Sequence, residues 1–217
     1  MTQRREFLET LGMLMGAMTI GAAELQAAPA PAHSPWDTSW LNALASAQFR
    51  VVFNANEISD GTVMDQVRMF LDHFHDVHGT LDAQTRAVIV FRRLGAPMAF
   101  NDAMWDRYAI GEDIRIADPG TRRAAKRNVF WRATVDASPQ DVALQLETLQ
   151  QRGAISLVCS IATNTWAKRT AARLHLDADA VASDIRANLV PGAILVPSGI
   201  YALIRAQNAG CAYMPGA

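Results

Sequence analysis

The chain has 217 residues, half of them hydrophobic, and what remains after its first 30 suits one domain with a full core. Its 20 lysines and arginines balance 21 aspartates and glutamates, so it lacks the electrostatic footprint of a nucleic-acid binder. The local cluster Arg122, Arg123, Lys126, Arg127 reads as a solvated loop rather than a polyanion site.

Residues 1–30 read as a leader. Gln3-Arg4-Arg5-Glu6-Phe7-Leu8 follows the twin-arginine pattern, and residues 11–23 form an apolar stretch that three glycines interrupt, too short to span a bilayer comfortably. Small residues suited to signal-peptidase cleavage follow, with Ala27 or Ala30 as the expected last residue of the signal. The competing reading is a fortuitous amphipathic helix. Two arginines and three glutamates belong to the leader, so the remaining chain stays charge-balanced. The expectation is a periplasmic protein exported by the twin-arginine machinery, without a stable membrane anchor. Residues 31–48 are a Pro/Ala linker and a short helix, and residues 49–217 are the α/β domain.

The first strand is Phe49-Arg50-Val51-Val52-Phe53-Asn54, closed by turn and cap residues Ser59 to Thr62. A helix over 63–77 places Val63, Val67, Phe70, Leu71 and Phe74 on one face, and Gly79 ends it. Ala87-Val88-Ile89-Val90-Phe91 is a continuous apolar run, the mark of a parallel strand covered on both faces. Asn101 caps a helix carrying Met104, Trp105 and Tyr108, the aromatic pair serving as core or oligomer contacts. Residues 111–135 form a long irregular excursion, a feature often functional or an oligomer contact. Ser138-Pro139-Gln140-Asp141 starts a helix by serine cap and first-turn proline; Val142, Leu146 and Leu149 are its buried stripe and Gly153 its stop. Ile155 to Cys159 is the third strand. Residues 164–175 and 179–189 are helical, Ala193 to Pro197 is the fourth strand, residues 200–208 are a helix, and Cys211 to Met214 is a short last strand. This alternation predicts a doubly wound, mostly parallel sheet of about five strands flanked by helices. Its ligand site is expected at the carboxyl ends of the strands, near a switch in strand order.

Cys159 is the candidate for chemistry. It ends a strand before a helix, where backbone N–H groups stabilise a thiolate; the alternative is an inert buried cysteine. Cys211 starts the last strand and therefore lies at the opposite sheet edge, about 15 Å away for a five-residue strand. Bridged cysteines need Cα atoms roughly 4.4–6.8 Å apart, so no disulfide is expected and Cys211 reads as a packing residue. Asn54, Asn56, Glu57, Arg92, Arg93 and Ser198 follow strand exits and would surround Cys159. Asn54 and Ser198 would orient a ligand by hydrogen bonds, and Arg92 or Arg93 would neutralise an anion. His73 and His75, two apart on a helix, cannot share a ligand face; His75 and His78 can, but Asp72 and Asp76 complete no evident metal site. No Gly-x-Gly-x-x-Gly, phosphate loop, nucleophile elbow or paired-cysteine motif occurs, and no cofactor is expected.

The segment Gln151 to Ala162, containing Ile155-Ser156-Leu157-Val158-Cys159, is similar to the third-strand segment of the DsrE-like family, where a cysteine ends the strand and opens a helix. Residues 189–210 resemble the family's strand, its Pro-Ser-Gly turn at Pro197-Ser198-Gly199, its helix and its Gln-x-x-Gly ending at Gln207 and Gly210. Asn54 and Asn56 also fit. The likeness covers roughly Phe49 to Tyr213 and departs at residues 111–135. It implies a small α/β homo-oligomer, a trimer or a multiple of it, in a family where several cytoplasmic members relay sulfur as a cysteine persulfide. The expected function is an exported protein that binds a small sulfur-containing or anionic ligand and carries sulfane sulfur on Cys159. The alternative is a non-catalytic oligomeric binding or accessory module with a structural Cys159; metal binding through His75 and His78 ranks third.

Overall fold

A computed structural model describes residues 34–216; the leader lies outside them. Strands β1 (Phe49–Ala55), β2 (Thr85–Phe91), β3 (Ile155–Cys159), β4 (Ala193–Val196) and β5 (Ala212–Pro215) form one sheet of order β4-β3-β2-β1-β5. Every pairing is parallel. The helices are α1 (Trp40–Ala45), α2 (Thr62–His78), α3 (Asp102–Arg107), α4 (Ile110–Asp113), α5 (Pro139–Ala143) and α6 (Leu146–Gln151). They continue with α7 (Ser160–Leu174), α8 (Ala178–Ala187) and α9 (Gly199–Asn208). The fold is the doubly wound α/β class that the alternation of elements predicts, and the strands fall within two residues of their expected bounds.

Side-chain alternation along the strands builds two cores. Val88 and Val90 of β2 face Trp40 and Leu44 of α1 and Ala202, Leu203 and Ala206 of α9. Ala87, Ile89 and Phe91, one residue out of phase, face Val63, Val67 and Leu71 of α2 together with Trp166 of α7 and Ile185 of α8. A strand buried on both sides must be apolar at successive positions, which explains the uninterrupted run in β2. At one edge of the sheet, all four residues of β5 remain exposed.

Residues 111–135 fold onto the larger core. Asn128 is buried and fully used: its Nδ2 donates to the Met98 and Phe100 carbonyls at 2.7 Å each, and its Oδ1 accepts the Phe130 amide at 3.0 Å. Its own amide donates to Asp102 at 2.9 Å, and Phe130 lies against Trp105 with ring centroids 6.1 Å apart. Gly111 permits the closest approach, since a Cβ there would stand 2.2 Å from the Ala125 carbonyl oxygen. Asp118 accepts the Gly120 and Thr121 amides at 2.9 and 3.1 Å and pairs with Arg127 at 2.7 Å. Burial opposes ionisation of Asp118, but the Thr121 amide, the Arg127 charge and the Gly120 amide outweigh it and hold the carboxyl below its ordinary value.

Two helices depart from their expected form. The segment after Ser138 breaks into α5 and α6 at Gln145, which is extended. The Leu146 and Glu147 amides donate instead to the Phe130 and Trp131 carbonyls at 2.9 and 3.0 Å, so the excursion takes up hydrogen bonds that a continuous helix would make internally. Val142, expected in the buried stripe, is 40% exposed. The helix expected over 164–175 begins at Ser160, as α7, because Cys159 itself is its N-cap.

Candidate functional site

Helix α7, leaving β3, packs on the α2 side of the sheet, whereas α9, leaving β4, packs on the other. Adjacent strands whose outgoing helices part in this way leave a crevice at their carboxyl ends. Between β3 and β4 it is a cleft of about 400 Å³. Cys159 lines it and is 6% exposed, with Sγ accepting the Ala162 amide at 3.4 Å. Ser198 caps α9 from the other side, its Oγ accepting the Tyr201 amide at 3.0 Å. Two helix N-termini therefore meet at one crevice, an arrangement that favours negative charge.

The cationic side chains come from the segment after β2 and from α7. Arg92 leaves β2, anchored by its amide on the Ala55 carbonyl at 3.0 Å. Its stem lies over Gly199, where a Cβ would come within 2.9 Å of Arg92 Cδ. Arg93 adopts a left-handed backbone with φ 47°, costly for a non-glycine residue; the Trp166 indole donates to its carbonyl at 2.8 Å and braces it. Arg169 lies over the Trp166 ring, 4.9 Å from the centroid, and pairs with Asp113 of α4 at 2.9 Å. Among the described residues, no acidic side chain lines the cleft. Arg92 and Arg93 make no ion pair among the described residues. The remaining walls are largely apolar, from Leu94, Ile161, Ala162 and Ile200.

Of the residues expected from sequence, the structure brings Cys159, Arg92, Arg93 and Ser198 into one cleft. It does not bring Asn54 or Asn56 there. Asn54 lies within β1 and Asn56 just after it; β1 pairs with β2 and β5 rather than β3, and Asn54 Nδ2 donates to the Tyr213 hydroxyl on β5 at 3.1 Å. Trp166, Arg169, Leu94, Ile161 and Ile200 were absent from the expected site. Once the helix is started at Cys159, Ala162, Thr165, Trp166 and Arg169 fall at helical spacing on one face, the signal that would have found the middle of the wall.

The histidines of α2 do not converge. His75 Nδ1 lies 2.9 Å from the Thr80 carbonyl oxygen, and the His78 ring stacks on Phe49 with centroids 5.2 Å apart. No cluster of three metal-ligating side chains occurs among the described residues. Cys211 is buried just before β5 at the amino end of the sheet, and both cysteines are free thiols. Burial pushes the Cys211 thiol up to about 11, partly offset by the nearby Arg50 charge. No helix of the described residues is long and apolar enough to cross a membrane.

No family model and no curated protein matches the chain. Among solved structures, it is similar to a protein of unknown function, MTH1491, from Methanobacterium thermoautotrophicum. The two share 17% identity at a TM-score of 0.41, over 77% of this chain and 98% of that one.

Proposed function

We propose that the chain is an exported DsrE-like protein that holds a small anionic or sulfur-containing ligand in the β3–β4 cleft and carries sulfane sulfur on Cys159. The observation that carries this reading is the pair Arg92 and Arg93, two guanidinium groups without a carboxylate partner among the described residues, lining the same cleft as a free thiol. Arginine's planar fork suits carboxylates and oxyanions. In the carrier step, the Cys159 sulfur attacks the outer sulfur of a donor R–S–SH and the donor's S–S bond breaks. R–SH departs with the proton that Cys159 loses, leaving Cys159–S–SH without net oxidation. Incubation with cysteine persulfide should add the mass of one sulfur atom to the protein, and Cys159→Ser should abolish the gain with the fold intact. No gain in the parent chain, or an equal gain in the variant, would overturn the carrier role.

A second reading has its own observation: Cys159 is nearly buried and its Sγ serves as the α7 cap. Under it the protein is a binding or accessory module, and the Cys159→Ser variant binds anions normally while neither chain gains sulfur. Export rests on Arg4 and Arg5 and is tested by replacing both with lysine, which should retain the protein in the cytoplasm. The exposed β5 edge supports a homo-oligomer, a trimer or its multiple, which sedimentation at micromolar concentration would reveal.

A further inference from the structure

We propose, building on the anion-binding reading above, that the cleft selects an organic anion, a carboxylate or sulfonate on an alkyl or aryl body, over an inorganic oxyanion. Single exposed aliphatic side chains are common and need no explanation. Here three of them line one concavity from three separate elements: Leu94 after β2 is 45% exposed, Ile161 on α7 is 61%, and Ile200 on α9 is 60%.

The positions of the two isoleucines are informative. Each stands two residues after its helix cap, Cys159 or Ser198. The first turn of a helix favours aspartate and glutamate, which complement the dipole. Neither helix has an acid in its first turn, and both expose a β-branched aliphatic residue there. Carboxylates at these points would repel an anion between the two N-termini; isoleucines leave its charge unopposed and offer its body an apolar wall. Trp166, with Arg169 laid over its ring, extends that wall. At ~30 Å³ of liquid volume per water, the cleft of about 400 Å³ has room for roughly a dozen non-hydrogen atoms, so an inorganic oxyanion would leave most of it wet. An anionic head therefore meets Arg92 and Arg93 near the helix N-termini, and the body lies against Leu94, Ile161 and Ile200.

The test is calorimetric titration of the full purified chain with sulfate, thiosulfate, acetate, butyrate, hexanoate and octanoate. Affinity should rise about fourfold per added methylene until the cleft is filled, with hexanoate and octanoate binding more tightly than thiosulfate. Ile161→Asn combined with Ile200→Asn should flatten the chain-length trend. Both positions are largely solvent-facing, and circular dichroism confirms the fold of the variant. Arg92→Gln combined with Arg93→Gln should weaken every anion. Thiosulfate binding as tightly as octanoate, or a trend that survives the isoleucine changes, would overturn this inference while leaving the anion site standing. If none of the six anions binds, the anion-binding reading fails along with it.

Discussion

Each end of the sheet carries a cysteine and arginine side chains, yet the two ends employ them differently. At the amino end, Arg50 donates to the Leu44 carbonyl at the end of α1 and to the Ala209 carbonyl at the end of α9, at 3.1 and 3.0 Å, and Cys211 is packed beside it. Cation and helix carboxyl termini satisfy one another there. At the carboxyl end, Arg92 and Arg93 have no acidic partner among the described residues, two helix amino termini converge, and Cys159 borders open space. The difference follows from the polarity of a parallel sheet. Helix carboxyl termini gather at one edge and attract the protein's own cations; helix amino termini gather at the other and attract anions from outside.

The sharpest way to break this comparison is to ask both thiols the same question. A thiol pushed up to about 11 leaves about one Cys211 in a thousand as thiolate at pH 8. Native alkylation with peptide mapping should therefore label Cys159 much faster than Cys211, with Cys211 labelling still climbing towards pH 11. Equal rates would remove the distinction between the two ends. Next in size is the arginine contrast. Arg50→Met should cost about 2–3 kcal/mol by denaturant titration, because two carbonyls lose a charged donor. Arg92→Gln with Arg93→Gln should stay within roughly 0.5 kcal/mol of the parent, since neither side chain holds the fold together.

Acid separates the ends again. The Arg50 bonds go to carbonyls, which do not titrate, whereas the excursion behind the cleft depends on ionised Asp118. Its carboxyl lies below its ordinary value in the folded chain, so its contribution is complete above the unfolded value of about 3.9 and is lost as pH falls through the folded one. Asp118→Asn should cost about 1–2 kcal/mol at pH 7, and the gap to the parent should close below about pH 4. A gap that does not change with pH would mean that the Asp118 charge is irrelevant. The smallest effect is expected at the α9 cap, where Ser198→Ala should cost about 1 kcal/mol, measured by the same titration.

The strands were legible because their information is local: apolar runs such as 87–91 bounded by turn residues need no distant partner to be read. Gly79 and Ser138 signalled their helix ends for the same reason. Two features depended on distant contacts or on strand order, and a third on an unusual local cap. The break at Gln145 arises because the Phe130 and Trp131 carbonyls capture the Leu146 and Glu147 amides, an interaction invisible in the helix's own residues. Asn54 and Asn56 looked equivalent to Arg92 as strand exits, but only strand order decides which exits share a crevice, and β1 lies two strands from β3. Cysteine is seldom counted among capping residues, so the helix is expected only from 164, and Ile161 falls outside it with its register to Cys159 hidden.

Asn128 has a consequence for how the molecule breathes. With both amide protons, its side-chain oxygen and its backbone N–H committed to residues 98, 100, 130 and 102, it ties the excursion to the core on every side. A segment so fastened does not open as a separate unit; its protected amides exchange with solvent when the surrounding core does. Because α4, which begins that stretch, holds Arg169 through Asp113, the back of the cleft is fastened to the same segment, and amide exchange there should be as slow as in the neighbouring core.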